Sequence, residues 1–497
     1  MNNIFNGLVI FEMANNHQGN LDHGIHIIRE MGRIAKKYNI KAAVKLQYRN
    51  LDTFIHPEYK EKPNVTHISR FESTKLIYED FCRLIGEIRK EGMLAMSTPF
   101  DEDGVKWCVD QDLDIIKVAS CSALDWPLLE KVAWAKKPAI ISLGGKNLTE
   151  IDNIYNFFLH RKIDFAFLHC ISEYPVPLNR IQLDFINKLR NRYPGIPIGY
   201  SGHEDPNVNV VQMMAVAKGA EILERHVGIE TDEVKLNAYS LNPAQADEWI
   251  KSVVNARIIC SLNDDGSISH SPEEIASLRS LQRGVYAKRS INKGETIMDE
   301  DVYFAMPLTE NQMTSGEFKQ GITASKSYNE NESVKESVKS TDLKKFREAI
   351  HDVKGLLNES GVAISEIEDI EFSHHYGVEN FRKTGCSLLN VINREYCKKI
   401  IIVLPGQENP LHYHKIKEET FQVLYGDLEC VVNDKKYYLK PGDILTVKRM
   451  DVHSFSSING AVFEEISTTH IKGDSYYTDQ NISKQDYIQR KTIVKDW

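Results

Sequence analysis

A chain of 497 residues is longer than one ordinary hydrophobic core, so we expect about two to four domains. Its 42% hydrophobic and 26% charged residues are typical of globular proteins, and its apolar runs are shorter than the ~18 residues that a membrane span needs. The net charge of -9 argues against nucleic-acid binding, and the N-terminus lacks the basic region of a signal peptide, so we expect a cytoplasmic protein.

Short apolar runs alternate with longer helical patterns, such as Asp22–Tyr38 and Asp205–Gly219, from residue 8 to about 260. The runs predict eight strands: Leu8–Ala14, Ala42–Tyr48, Leu94–Phe100, Ile115–Ser120, Ala139–Gly145, Phe165–Ser172, Pro197–His203 and Glu221–Val227. This pattern suits a (β/α)₈ barrel over residues 1–260, and an open doubly wound sheet is the alternative. Nearly every run ends in polar residues, which converge on one mouth only in a barrel, so the barrel is favoured.

Three further segments follow the predicted barrel. Residues 261–277 are polar and rich in glycine and serine, which predicts a linker. Residues 278–334 contain a turn flanked by β-prone residues and predict a small domain that docks on another. Residues 335–341 predict a second linker, and 342–497 predict a mostly β domain that opens with an amphipathic helix, Leu343–Leu357.

Two histidines stand at the ends of neighbouring predicted strands. Ser201–His203 and Glu224–His226 each carry polar side chains at i and i+2, on one face of the strand. His203 and His226 can therefore approach one cation, and two imidazoles with open positions suit Mn²⁺ or Mg²⁺. A single histidine is more often a core residue with satisfied hydrogen bonds, but the pair at adjacent strand ends favours a metal site.

Two lysines and several hydroxyl groups end the other predicted strands. Lys45 and Lys117 lie at the ends of the second and fourth predicted strands, where a buried ammonium group needs an anionic partner. The hydroxyls that could donate to phosphate or carboxylate oxygens are those of Thr98, Ser120, Ser142, Ser172 and Ser201. One such serine is usually a helix cap, but a set on successive strands indicates an anion site.

An ordered set of strings in the first two-thirds of the chain resembles the bacterial sialic acid (N-acetylneuraminate) synthases. The strings are Phe11–Gly19, Val44–Gln47, Ser97–Phe100, Ile116–Ser120, Leu168–Cys170, Tyr174-Pro175, Gly199–His203 and Ile222–His226. The resemblance continues into residues 278–334, which look like the small antifreeze-like (SAF) domain that follows the barrel in that family.

The resemblance implies condensation of phosphoenolpyruvate with an aldose to a 3-deoxy-2-keto sugar acid, for surface glycan biosynthesis, by a transferase of the EC 2.5.1 type. It implies that the phosphoenolpyruvate is held by Lys45, Thr98, Lys117, Ser120, Ser142, Ser172 and Ser201. It places Glu12, Gln47 and Tyr174 near the sugar, and it makes His203 and His226 ligands of a manganese-like ion. Glu12, Lys117, His203 and His226 are the catalytic residues that it implies, and a homodimer is the implied assembly.

Three departures from the family pattern predict altered aldose recognition. Ser120-Cys121-Ser122 lacks the acidic residue that usually follows the fourth strand, and Met306 stands where the small domain usually offers an arginine to the N-acetyl group. The loop Val234–Leu241 also lacks the usual aspartate. We therefore expect intact phosphoenolpyruvate chemistry and poor use of N-acetylmannosamine.

The C-terminal region contains G(x5)HxH(x4)E(x6)G, starting at Gly406, which resembles the first motif of the cupins. Pro441–His453 resembles the second motif, although Lys448 and Met450 replace its usual proline and glycine. In a cupin barrel, neighbouring strands would bring together three imidazoles and a carboxylate, a set that suits a divalent transition metal. The residues of this set are His412, His414, Glu419 and His453. Further polar candidates are His374, His375 and Glu465.

Several alternatives stay open at this point. The cupin domain could isomerise or epimerise the sugar for the barrel, or only bind sugar or mediate dimerisation. The barrel could be an aldolase or isomerase, or the inactive core of a sugar-binding regulatory protein. Retention of Lys45, Lys117, His203 and His226 disfavours the inactive barrel, because charged residues in a mouth are costly without a function.

Overall fold

The computed structural model describes residues 4–60, 65–263, 268–337, 342–364, 369–495 and 497. The chain divides into two compact units, Met1–Leu262 and Asn263–Trp497. Among the described residues, no helix combines the length and the apolar character that a membrane crossing needs.

The first unit is a closed barrel of parallel strands in sequence order, which confirms the predicted fold. Its strands are β1 (Val9–Glu12), β2 (Ala42–Tyr48), β3 (Leu94–Pro99), β4 (Ile115–Val118), β5 (Ala139–Ser142), β6 (Phe165–Cys170), β7 (Ile198–Gly202) and β8 (Ile222–His226). Strand β8 pairs with β1, so the sheet has no free edge. Each predicted run contains its strand, and most runs extend further because the residues at the strand ends turn into loops.

Helices surround this barrel, and side-chain caps define several of their starts. They are α1 (Leu21–Tyr38), α2 (Leu51–Phe54), α3 (Thr66–Ser73), α4 (Tyr78–Lys90), α5 (Glu102–Asp110), α6 (Trp126–Trp134), α7 (Leu148–His160), α8 (Asp184–Arg192), α9 (Val210–Ala217) and α10 (Pro243–Ile259). At α7, Asn147 and Glu150 form a reciprocal capping box. Helix α9 is shorter than the predicted Asp205–Gly219, because the Asp205 carboxylate accepts from the Asn207 amide in a turn instead.

The barrel interior has an apolar lower layer and a polar upper layer. Alternate strand residues point inward, so a residue two positions after an apolar one shares its face. Ile10, Ala43 and Ile222 belong to one buried apolar cluster inside the barrel. Glu12 and Lys45 stand two residues further along β1 and β2, and both are buried. The same alternation therefore fills the lower barrel and directs polar groups to its mouth.

The first helix of the second unit, α11 (Pro272–Leu281), begins inside the segment 261–277 that the sequence predicts as a linker and extends beyond it. Ser271 caps this helix by accepting a hydrogen bond from the Glu274 amide, and Pro272 occupies its first turn. The negative charges of Glu273 and Glu274 are favourable near the helix N-terminus. These capping signals outweigh the polar composition, so part of this segment is helical.

A small module follows α11 and has its own core. Strands β9 (Gly284–Ala287) and β11 (Val302–Ala305) pair antiparallel, as do β10 (Thr296–Ile297) and β12 (Ile322–Thr323). The core comprises Val285, Ala287, Ile291, Ile297, Val302, Met313, Ala324, Tyr328 and Val334. Its likeness to the antifreeze-like domain stays a prediction. The predicted linker 335–341 is described only to residue 337, and residues 338–341 lie outside the described part.

The C-terminal part is mostly β, as predicted, after α12 (Asp342–Ser360). Its strands are β13 (Asp369–Ser373), β14 (Cys386–Asn393), β15 (Tyr396–Val403), β16 (Glu408–Tyr413), β17 (Glu419–Gly426), β18 (Leu428–Val432), β19 (Lys435–Leu439), β20 (Ile444–Val447), β21 (His453–Ser456), β22 (Ala461–Thr468), β23 (Tyr476–Tyr477) and β24 (Lys491–Lys495), with α13 (Gln480–Ser483) before the last. They form a seven-stranded sheet, β20-β17-β22-β15-β14-β13-β24, and a five-stranded sheet, β19-β18-β21-β16-β23.

The seven-stranded sheet buries both of its faces. Along β15, Ile401 and Val403 join a cluster that includes Phe455 of the five-stranded sheet. Ile400 and Ile402 join a second cluster that contains the apolar residues of α12. The alternation along β15 thus separates an inner core from the contact with α12.

Candidate active site

A cavity of about 520 Å³ opens at the carboxyl ends of the barrel strands. The sequence-predicted residues that line it are Glu12, Lys45, Gln47, Thr98, Ser120, Ser142, Ser172, Tyr174, Ser201, His203 and His226. Lys117 is the predicted residue outside this lining, but its ammonium group donates to the Ser142 hydroxyl at 2.6 Å. The structure therefore brings the predicted barrel residues together, and their individual roles stay predictions.

A buried network of charges forms the floor of this cavity. Lys45 Nζ lies 2.5 Å from Glu12 Oε2 and 2.9 Å from Glu224 Oε2. Lys117 Nζ lies 3.8 Å from Glu224 Oε1, which also accepts from the Ser201 hydroxyl at 2.8 Å. Glu224 was not among the predicted site residues, although its position two residues before His226 puts both side chains on one face of β8.

The electrostatics of the network prepare it for an anion. Burial lowers the pKa of Lys45 to about 7, against the charge of Glu224. Burial raises the pKa of Glu224, but Lys117 and Lys45 outweigh it and hold that pKa below its usual value. Glu224 therefore stays ionised between the two lysines. An incoming anion would favour the charged form of Lys45, because it would offset the desolvation of the ammonium group.

Hydroxyl groups from several strand ends meet around Gly144. The amide of Gly144 donates to the Ser120 hydroxyl at 3.0 Å, and the Ser120 hydroxyl lies 3.1 Å from Cys170 Sγ. A side chain at Gly144 would collide with the Ser172 hydroxyl and would lie 2.8 Å from the Ser120 hydroxyl. Glycine therefore leaves room for this close approach. The resulting cluster of donors suits phosphate or carboxylate oxygens.

His203 and His226 lie side by side in the cavity wall, with ring centroids 5.4 Å apart. His203 Nδ1 donates to the Ile171 carbonyl at 3.0 Å, which leaves the Nε2 lone pair for a ligand. His226 Nδ1 is buried and has no hydrogen-bond partner among the described residues. Burial lowers the pKa of His203 to about 4 and that of His226 well below its usual value. Two neutral imidazoles, one with an unsatisfied nitrogen, fit a divalent cation.

The cavity also contains residues that the sequence analysis did not single out as site residues, namely Ala14, Asn15, Arg49, His67, Arg70, Phe71, Phe100, Ala119, Cys121, Cys170, Glu224 and Tyr239. Arg49 donates to Gln47 Oε1 at 2.9 Å, and its guanidinium carbon lies 3.7 Å from the ring centroid of Phe100. The i, i+2 spacing of Gln47 and Arg49 was a usable signal. Cys121 lines the cavity, whereas Ser122 is buried outside the lining.

A second site lies in the C-terminal part, where His412, His414 and His453 each bring a ring nitrogen within 4.8 Å of the others. The Nδ1 atom of each ring faces a backbone carbonyl: Pro410 for His412 at 2.9 Å, Asp474 for His414 at 2.6 Å and Asp451 for His453 at 3.0 Å. Each Nδ1 therefore donates, and each Nε2 keeps its lone pair. Burial also holds the pKa of His412 well below its usual value, which keeps that ring neutral.

Glu419 completes the group of predicted ligands. Its Oε1 lies 3.4 Å from His414 Nε2 and its Oε2 lies 3.1 Å from His453 Nε2. These two nitrogens and Glu419 Oε2 are buried without hydrogen-bond partners in the described part of the chain. Three clustered imidazoles and one carboxylate, with two of the imidazoles and the carboxylate each carrying an unsatisfied atom, fit a divalent transition metal. A small cavity of about 50 Å³ adjoins this group.

A buried lysine that was not predicted sits beside this group. Lys417 Nζ contacts Glu419 and lies 3.0 Å from Glu465 Oε1. Burial lowers the pKa of Lys417, but the two carboxylates outweigh it and raise that pKa above its usual value. Of the further candidates, His375 Nε2 lies 2.7 Å from the Tyr477 hydroxyl, and His374 contacts Thr492.

Comparison with known proteins identifies both parts of the chain. The model of the NeuB family matches residues 33–263, and the cupin domain model matches residues 399–463. A crystallised protein of Chromobacterium violaceum, named as a candidate spore coat polysaccharide biosynthesis protein E, is 42% identical with a TM-score of 0.61, over 66% of this chain and 98% of that protein. The chain belongs to the NeuB family.

Curated relatives of this NeuB-family chain carry names of sugar acid synthases. The N-acetylneuraminate-9-phosphate synthase of Homo sapiens is 29% identical over 59% of this chain and 81% of its own length. The pseudaminic acid synthase of Campylobacter jejuni is 29% identical over 60% of this chain and 87% of its own length. Each match covers about three-fifths of this chain.

Proposed function

We propose that the barrel condenses phosphoenolpyruvate with an aldose to a 3-deoxy-2-keto sugar acid of the sialic acid type, for surface glycan biosynthesis. The observation that carries this proposal is that one cavity combines Lys45, a hydroxyl cluster and two neutral histidines, with the buried Lys117 bonded to its lining residue Ser142. The first set suits the two anionic groups of phosphoenolpyruvate, and the second suits a divalent ion that meets an aldehyde oxygen.

The lysines and hydroxyls would hold phosphoenolpyruvate. One wall of the cavity offers donors from Lys117 and Ser142. The hydroxyls of Ser120 and Ser172 beside Gly144 add to them. Lys45 adds a second ammonium group, which is available to an anion although Glu12 and Glu224 already contact it. Charge-assisted hydrogen bonds are about twice as strong as neutral ones, so this wall can fix the phosphate and carboxylate.

The proposed reaction forms one carbon–carbon bond. C3 of phosphoenolpyruvate attacks the aldehyde carbon of the open-chain sugar, whose oxygen becomes a hydroxyl, and water adds to C2. The C2–O bond to phosphate then breaks, so phosphoenolpyruvate, aldose and water give the keto acid and inorganic phosphate. A divalent ion held by His203 and His226, Mn²⁺ or Mg²⁺, would polarise the aldehyde. Glu12, which contacts Lys45 and Gln47, would orient the water or the sugar.

The remaining parts of the proposal follow the same resemblance. The activity would be that of a transferase of the EC 2.5.1 type, in a cytoplasmic homodimer. The cupin domain would hold a divalent transition metal through His412, His414, Glu419 and His453, and the unsatisfied Nε2 atoms of His414 and His453 and the Oε2 atom of Glu419 support this. A metal centre in a second domain also favours a bifunctional chain, in which the cupin isomerises or epimerises the sugar for the barrel.

The decisive experiment measures phosphate release from phosphoenolpyruvate by the full chain, with Mn²⁺ and a panel of aldoses. We expect release only when an aldose is present, together with a product whose mass equals aldose plus phosphoenolpyruvate plus water minus phosphoric acid. Sugar cleavage or isomerisation without consumption of phosphoenolpyruvate would identify a barrel aldolase or isomerase instead. Absence of turnover with intact phosphoenolpyruvate binding would favour the regulatory alternative.

A further inference from the structure

A chain of buried charges leads away from the histidine group of the cupin domain. Lys417 contacts Glu419, and it also lies 3.0 Å from Glu465 Oε1. Lys399 Nζ lies 3.5 Å from the same Glu465 oxygen and 3.5 Å from His470 Nδ1. These two lysines and two glutamates are each at most 5% exposed. Burying so many charges is costly, and it indicates a site that needs them rather than a device for stability.

The charges end at a larger cavity of about 490 Å³, which we call the outer pocket. Its polar lining consists of Glu371, Asn390, Asn393, Lys399, His470, Lys472 and Lys491. Three of these residues, Lys399, His470 and Lys491, also line the small cavity beside the histidine group. The outer pocket is therefore adjacent to the small cavity that borders the predicted metal ligands. Its volume lies in the range of small-molecule sites, about 300–1,000 Å³.

The outer pocket has an excess of positive charge. Among the described residues that line it, three lysines face one carboxylate, Glu371, which contacts Lys491. Burial and the neighbouring lysines lower the pKa of His470 to about 3, so this ring is neutral. Asn393 fixes the loop at His470 through hydrogen bonds to its backbone amide and carbonyl, at 2.9 and 3.1 Å. A positive pocket with a fixed wall suits an anionic ligand.

We propose that the outer pocket binds a sugar with one anionic group, either a phosphate ester or a carboxylate. The anionic group contacts Lys399, Lys472 and Lys491. The hydroxyl or carbonyl groups of the same sugar reach through the shared wall toward His412, His414 and His453. Ile488 and Ile493 also line the pocket and offer apolar contact to the C–H face of the sugar. This binding site is separate from the barrel reaction and stands whether or not the barrel is a synthase.

The test is isothermal titration calorimetry of the full chain with mannose 6-phosphate, N-acetylneuraminate and mannose. Lys472 is exposed, so Lys472→Glu removes one pocket ammonium without disturbing a packed core. Lys440 is an exposed lysine of the same domain outside both cavities, so Lys440→Glu is the matched control. We expect Lys472→Glu to weaken one anionic-sugar binding event at least about tenfold, and Lys440→Glu to leave it unchanged.

The three ligands distinguish the two sources of negative charge. Binding of mannose 6-phosphate alone identifies a sugar phosphate, binding of N-acetylneuraminate alone identifies a sugar acid, and either supports the pocket. The proposed site would be refuted if mannose bound as tightly as the anionic sugars, or if Lys472→Glu and Lys440→Glu had equal effects on binding. Removal of metal with EDTA should weaken the binding that Lys472→Glu affects, and it should weaken sugar binding more than binding of inorganic phosphate. Equal weakening of sugar binding and phosphate binding would contradict the proposed approach of the sugar to the three histidines. Phosphate release by the barrel, measured on the same variants, tests the synthase separately.

Discussion

In the barrel, two histidines and Lys45 line a cavity of about 520 Å³, whereas in the cupin domain three clustered histidines and a glutamate adjoin a cavity of about 50 Å³. The three cupin imidazoles each have Nδ1 next to a backbone carbonyl. Of the barrel pair, His203 has such an anchor, whereas His226 Nδ1 lacks one among the described residues. The cupin group is thus preorganised for one ion, while the barrel pair leaves room for an ion together with substrates.

This difference indicates two roles for histidine as a metal ligand. Where carbonyls fix every tautomer, most of the coordination geometry is set by the protein. Where the protein supplies only two imidazoles, the remaining positions are open to substrate oxygens, which is the arrangement that catalysis needs. The barrel should therefore lose activity, and the cupin domain should lose metal affinity, when a histidine is removed.

The largest expected effect is at the barrel histidines. His203→Ala or His226→Ala should reduce kcat for condensation on the order of a thousandfold, because one imidazole cannot hold the ion that polarises the aldehyde. EDTA should have the same effect on the unaltered chain, and Mn²⁺ should restore it. His26→Ala, at an exposed position on α1, is the matched control. Full turnover in metal-free buffer would contradict the proposed barrel metal.

The next largest effect concerns the anion wall. Lys117→Ala should raise KM for phosphoenolpyruvate about ten- to a hundredfold, since a hydrogen bond to a charged group contributes about 1.5–3 kcal/mol. Steady-state kinetics with a saturating aldose measure this change. Lys106→Ala removes an exposed lysine from α5 and should change nothing. An unaltered KM in Lys117→Ala would mean that the lysine serves only to neutralise Glu224.

Substrate choice gives a smaller expected effect. N-acetylmannosamine should show kcat/KM at least about tenfold below that of mannose or mannose 6-phosphate, because an unpaired acetamide oxygen costs about 1–3 kcal/mol. Met306, where the family pattern has arginine, is 54% exposed, so Met306→Arg should fold normally. This variant should raise the relative kcat/KM for N-acetylmannosamine. A clear preference of the unaltered chain for N-acetylmannosamine would refute the altered specificity and leave the synthase chemistry untouched.

The pH dependence of phosphoenolpyruvate binding should be smaller again. Lys45 has a pKa of about 7 in the unliganded cavity, so it is charged below pH 7 and increasingly neutral above it. An anion prefers the charged form, so the dissociation constant should rise as pH increases through 7, by up to about tenfold per pH unit. Lys45→Arg keeps its charge throughout, so its binding should not depend on pH in this window. Calorimetry between pH 6 and 9 compares the two, and parallel curves would exclude Lys45 as the cause.

The sequence predicts the barrel and its mouth well because both follow from local patterns. Strand periodicity and polar strand ends are visible in one segment at a time, and β2 matches its predicted run. Lys417 is different, because its burial depends on Glu465, 48 residues away, which only tertiary structure brings near. Helix α11 could have been predicted from local sequence. Ser271 and Pro272 are helix-start signals, but the polar composition of residues 261–277 led to the prediction of a linker instead.

The smallest expected change follows removal of the cupin domain after Ser337. The apolar core of the small module ends at Val334, and the two clusters of the C-terminal part begin at Phe346 and Cys386, so this cut divides none of them. The compact unit Asn263–Trp497 nevertheless contains both parts. A cut at the predicted boundary, 335–341, therefore tests whether the small module and the cupin domain fold independently. We expect the shortened chain to fold and to bind phosphoenolpyruvate within about twofold of the full chain, because separate cores contribute additively. Calorimetry and circular dichroism measure both properties. Aggregation of the shortened chain would place the boundary elsewhere, whereas a folded chain with much weaker binding would show that the cupin domain supports the barrel site.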